Sequence, residues 1–195
     1  MLLKRISIVL TISILISGCS TYKTRPGGIN VSSKPYYCRG KWYYPQNYYE
    51  YNEIGLASWY GDECHGLPKA TGIPFNKYDM TAAHRTLPLP TVVKVTSLKN
   101  RKSIIVVVDD RGPYVYKGRI IDLSYEAASK LGIANYKPSK VRVQSLPKES
   151  LKLSNYIKKH CKNRRDPYGR SWYELYRQEI AKTKPRTIKK YTVHK

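Results

Sequence analysis

A mainly β chain folded as a small barrel is predicted by three features. Short β-branched or alternating runs recur between Ile54 and Leu146: "IGLASWYG", "TVVKVTSL", "KSIIVVVDD", "RIID" and "SKVRVQSL". Gly- and Pro-bearing turns separate them, with one short helical pattern among them. The flanks differ in composition, a tyrosine-rich segment before and a strongly basic one after.

The N-terminus reads as an export signal. Lys4 and Arg5 precede eleven residues, Ile6 to Ile16, that are apolar apart from small hydroxyl side chains. As a helix that run spans about 16 Å, short of the roughly 30 Å of bilayer hydrocarbon. It ends Ile16-Ser17-Gly18-Cys19, which resembles the lipobox of bacterial lipoproteins. The resemblance implies that residues 1–18 are removed and that Cys19 carries the lipid, an anchor to the membrane. Ser20 then favours the outer membrane, facing the periplasm.

Residues 19–53 follow as a tether and flank. Pro26, Gly27, Gly28 and Pro35 make the first part a flexible linker. From Tyr36 to Tyr51 there are seven tyrosines and Trp42, rings that suit stacking on sugars but are read in preference as packing onto the domain as a flap. In the domain, 54–146, "TVVKVTSL" and "KSIIVVVDD" form a hairpin around Lys99–Arg101, the second run apolar enough for burial on both faces. "SYEAASKLG" predicts a helix capped by Ser124, with an apolar stripe at Leu123, Ala127, Ala128 and Leu131 and a stop at Gly132. Residues 147–195 form a basic tail, partly helical or disordered. From 148 onward fifteen Lys or Arg face four Asp or Glu, a net of +11, and Trp172, Leu175, Tyr176 and Ile180 fall at helical spacing.

The formal charge of +23 raises nucleic acid as a partner, which export argues against. Anionic polymers of the envelope suit it better. Cys38, Cys64 and Cys161 permit one disulfide and one orphan in an oxidising compartment, with the pairing open. A Cys38–Cys64 bridge would add about 3 kcal/mol. No Cys-x₂-Cys or His-x₃-His spacing suggests a metal, and no cofactor is expected.

The chemistry concentrates in "GLASWYG" (Gly55–Gly61), "TAAHRTLPLP" (Thr81–Pro90), "VVVDDRGPY" (Val106–Tyr114) and "GRIIDLSYEAASKLG" (Gly118–Gly132). In this order they resemble the rare lipoprotein A family over residues 54–146. The resemblance implies a six-stranded double-psi β-barrel, the fold of plant expansins and of membrane-bound lytic transglycosylase A. It implies an endolytic peptidoglycan transglycosylase acting on naked glycan strands. The MurNAc–GlcNAc β-1,4 bond is cut without water, and the C6 hydroxyl closes on C1 to leave a 1,6-anhydro end. Such a reaction needs an acid for the leaving oxygen and a base for the C6 proton, and one carboxyl group can serve in turn.

Asp110 matches the aspartate of the family's Asn-Asp-Arg-Gly-Pro motif, with Asp109 replacing the Asn, and is assigned as the acid/base. His84 matches the family's histidine and is assigned to positioning or to a hydrogen-bond network with Asp110. Trp59, Tyr60 and Arg111 are assigned to sugar binding. The family's Thr-Ala-(Asn/Ser)-Gly-Glu motif reads Lys69-Ala70-Thr71-Gly72-Ile73 here, so Ile73 replaces a catalytic glutamate. Asp110 then acts alone, or Asp62 or Glu63 substitutes, or the domain binds glycan without cutting it. Many relatives also carry a SPOR domain, which the 147–195 stretch is too short and polar to match.

Overall fold

The computed structural model describes residues 34–45, 50–135, 137–161, 166 and 169–181. The expected signal segment, Cys19, most of the expected tether and the stretch 182–195 lie outside the described residues.

Six strands close into a mixed barrel, as the resemblance implies. They are β3 (Asn52–Trp59), β4 (Thr81–His84), β5 (Thr91–Ser97), β6 (Ser103–Asp110), β7 (Arg119–Leu123) and β8 (Ser139–Ser145), ordered β3-β7-β4-β6-β5-β8. The β3–β7 and β4–β6 pairs are parallel and the others antiparallel. Alternate residues fill the interior: Ala57, Ala82, Val93, Val95, Val106, Val108, Ile121, Leu123, Val141 and Val143. Helix α1 (Tyr125–Leu131) starts where Ser124 Oγ accepts the Ala127 N–H at 3.2 Å, and stops at Gly132, whose φ of 76° suits glycine.

The strand β4 was not among the sequence-predicted runs. Its four residues, Thr-Ala-Ala-His, neither alternate nor favour strands locally, and burial between β6 and β7 makes them one.

The C-terminal stretch is built onto the barrel. Helix α2 (Pro147–His160) and α3 (Trp172–Leu175), continued by a π-helical turn at Tyr176–Ile180, form a second hydrophobic layer. Leu153, Ile157, Trp172, Leu175, Tyr176 and Ile180 pack on Val92 and Val107, the outward residues of β5 and β6. Those two strands are therefore apolar on both faces. Ser171 and Glu174 form a reciprocal capping box at α3. Arg170 ties Asp166 to Glu179 at 2.9 and 2.8 Å.

The tyrosine-rich flank forms a hairpin of β1 (Tyr36–Cys38) and β2 (Lys41–Tyr43). Tyr36 and Tyr43 stack at 5.2 Å, both meet Tyr114 edge-on, and Tyr36 donates to the Arg85 carbonyl at 2.7 Å. Their cross-strand neighbours Tyr37 and Trp42 are exposed.

Cys38, Cys64 and Cys161 stand respectively on β1, in a short 3₁₀ turn at Asp62–Cys64, and just after α2. The disulfide that three thiols permitted is not formed among the described residues.

Candidate active site

Strand register assembles a polar row on the barrel's outer side. Ser58 on β3 pairs with Asp122 on β7, Asp122 with Ala83 on β4, and Ala83 with Asp110 on β6. Cross-strand partners share a face, so two carboxyl groups flank one methyl group. The neighbours Ala57, Ile121, Leu123, Ala82 and Val108 face the interior.

A bulge makes this possible. Ala82 pairs with Val108 but Ala83 with Asp110, so Asp109 is the extra residue. A bulge re-aims the side chains after it, here turning Asp110 onto the row while Asp109 is fully buried.

Asp110 is held by three donors. Its Oδ1 accepts the Ala70 and Arg111 amides at 2.7 and 2.8 Å, and its Oδ2 accepts the Tyr60 hydroxyl at 2.9 Å. Burial raises its carboxyl above the ordinary 3.8, and these hydrogen bonds and Lys69 pull partly back. Asp122 Oδ1 accepts from the Ser58 hydroxyl at 2.7 Å and from Arg119 at 3.0 Å. Burial raises this carboxyl too, against the pull of Ser58 and Arg119.

The sequence-predicted residues take distinct places. Tyr60 lies half-buried between Asp110 and Phe75, whose ring is 4.8 Å away. Burial and the charges of Asp110 and Asp122 push its phenol well above 10.0, so it stays a proton donor to Asp110. Trp59 packs against the interior core and meets Tyr125 edge-on at 5.2 Å. Arg111 reaches back to the Leu87 and His84 carbonyls at 2.5 and 3.2 Å and lies over the Tyr36 ring. It thus joins the turn after β6, the loop after β4 and the hairpin.

His84 is buried, and its ring bonds lead away from Asp110. Nδ1 accepts the Thr86 and Leu87 amides at 3.1 and 3.0 Å, which places the proton on Nε2, 3.0 Å from the Tyr51 hydroxyl. Burial, then Arg85 and Arg111, lowers its pKa to about 3. A ring neutral at physiological pH cannot give up an imidazolium proton. Its link to Asp110 is indirect, through its own carbonyl and Arg111.

Ile73 packs against the C-terminal hydrophobic layer. Asp62 is exposed and paired to Lys77 at 2.8 Å, and Glu63 is exposed beside it. Asp122 is the carboxylate that the fold brings beside Asp110, and the sequence reading passed over it. Its signal was an acidic residue inside the apolar strand "RIIDL".

Residues 52–144, which make up the closed mixed barrel and carry both carboxyl groups, match the family described as "Lytic transglycolase" and place the chain in that class of barrel. The endolytic peptidoglycan transglycosylase RlpA of Rickettsia felis is 39% identical over 177 residues, 79% of this chain and 77% of that protein. The RlpA of Pseudomonas aeruginosa strain UCBPP-PA14 is 49% identical over 122 residues, 62% of this chain and 36% of that protein. That of Vibrio cholerae is 48% identical over 113 residues, 57% and 43% respectively. The chain belongs to the RlpA, or rare lipoprotein A, family. It spans about a third of the length of the Pseudomonas relatives it matches.

Proposed function

We propose that this protein is an endolytic peptidoglycan transglycosylase, held to the envelope membrane by a lipid on Cys19 and facing the periplasm. The reading rests on one observation: Asp110 and Asp122 flank Ala83 on adjacent strands. Relatives that carry the name of this activity support it.

Asp110 acts first as acid. Its carboxyl proton moves to the bridging O4 as the C1–O4 bond breaks, freeing the GlcNAc end. Positive charge grows at C1 of MurNAc, and Asp122, ion-paired to Arg119, faces it as the second carboxylate. The C6 hydroxyl oxygen then bonds to C1, and its proton returns to Asp110. The proton account closes on one carboxyl group and no water is consumed. Ile73 supplies no proton, so the pair of aspartates takes over what the family's glutamate shares.

Purified protein incubated with denuded glycan strands should release products with 1,6-anhydro ends, read by mass analysis. Asp110→Asn should lower that release by about 10²–10⁴-fold while glycan pull-down persists. Glycan retention with no anhydro product from the unaltered protein would instead make it a binding protein.

A further inference from the structure

Beneath the site lies an ion pair that the proposed reaction does not use. Lys69 Nζ binds Asp109 Oδ2, and both side chains are only 2% exposed. Asp109 Oδ1 has no hydrogen-bond partner among the described residues. Taking two charges out of water costs several kcal/mol, and half-satisfied geometry does not recover it, so stability is a poor reason for the pair.

Its place in the fold gives a better one. Lys69 opens a tight turn, its own amide bonded to the Ile73 carbonyl and its carbonyl to the Gly72 amide. The next residue, Ala70, gives its amide to Asp110. Asp109 is the bulged residue that aims Asp110 onto the polar row. The pair therefore joins the loop that donates to Asp110 to the bulge that orients it. It also sets an ammonium beside Asp110.

We infer that Lys69, anchored by Asp109, is a positioning residue for Asp110, seating the Ala70 amide against that carboxyl and holding a positive charge near it. The inference rests on Asp110 as the acid/base of the proposed reaction, yet it is tested in the free protein. The groups acting on Asp110 include Tyr60, Asp122, Asp109 and Lys69, and Asp122 in turn faces Arg119 and Arg85. Asp109 also faces Asp79, which faces Lys69 and Glu174. Of the cations nearby, Lys69 is the one whose charge pulls on both Asp109 and Asp110.

The experiment follows the Asp110 side-chain carboxyl by ¹³C NMR through a pH titration. Lys69→Gln, which keeps a donor for Asp109 but removes the charge, should raise the Asp110 midpoint by about one pH unit. Lys69→Arg should leave it within a few tenths. The alkaline limb of turnover should move up with the midpoint, since the acid must start protonated. In Asp109→Asn the charge stays but its anchor is weakened, so hydrogen exchange at the Ala70 amide should accelerate about tenfold or more. An unmoved Asp110 midpoint in Lys69→Gln, or unchanged Ala70 exchange in Asp109→Asn, overturns the inference. If both shifts appear but no anhydro product forms, the proposed reaction fails and the positioning role stands.

Discussion

In the proposed reaction Asp110 carries the proton and Asp122 faces the charge that grows at C1. Both carboxyls are pushed up by burial and pulled down by specific donors, Asp110 by backbone amides and Tyr60, Asp122 by Ser58 and Arg119. Asp122→Asn should lower anhydro-product turnover by about 10²-fold or more while leaving glycan retention nearly unchanged. A variant with undiminished turnover would restrict the chemistry to Asp110. Two buried groups bias acid stability with opposite signs. The unfolded chain protonates His84 near 6.5 and the folded chain only near 3, so stability falls as pH drops through that interval. The Asp109 carboxyl is raised from 3.8 to about 6, so the folded chain takes up its proton first and stability rises as pH drops through that interval. Between about pH 4 and 6 the two offset. Asp109→Asn should therefore lose about 1.4 kcal/mol more per pH unit than the unaltered chain across that window, read by urea unfolding at stepped pH. Parallel stability curves would contradict the assignment.

The elements around the site were unequally legible. The helix α1 could be read in full, because its cap, stripe and stop are local: Ser124, Ala127, Ala128, Leu131 and Gly132 lie within nine residues. The helical spacing at Trp172 to Ile180 was equally visible. The helix α2 was not, since only Leu153 and Ile157 are buried among many Lys and Ser residues. It holds because Val92 and Val107 offer it an apolar wall. Leu153→Ala should cost about 2–5 kcal/mol in denaturant unfolding, the range for a fully buried leucine. A cost below about 0.5 kcal/mol would show the helical layer to be dispensable to the barrel. Truncation at residue 147 would expose β5 and β6, so it cannot serve as a neutral way to remove the basic charges.

Across the whole chain, two forces are expected to hold the protein in the envelope. In the proposed function one is the lipid on Cys19, and the other the excess of cations, +23 over the full sequence, facing anionic wall polymers. The lipid hold is insensitive to salt, and charge attraction between exposed groups is screened within about 10 Å at 0.1 M. Cys19→Ser should therefore lose the acyl mass and leave the membrane fraction, keeping only a retention on sacculi that sodium chloride weakens. A Cys19→Ser protein still in the membrane fraction would contradict the anchor. The barrel is also what unites the site: β3, β4, β6 and β7 each supply one member of the polar row.

The sequence by itself determined the β class, five of the six barrel strands and the helix α1, and a short motif singled out Asp110 for the proposed chemistry. Each of these signals is local, a period of two, a cap or a short motif. Tertiary structure alone decided the rest. It placed Asp122 beside Asp110, made β4 a strand, turned His84 to Tyr51, sent Ile73 to the helical layer and paired Lys69 with Asp109. Those outcomes depend on register between strands far apart in the chain and on a one-residue bulge. A bulge moves every following side chain to the other face, and neither composition nor periodicity records where it falls.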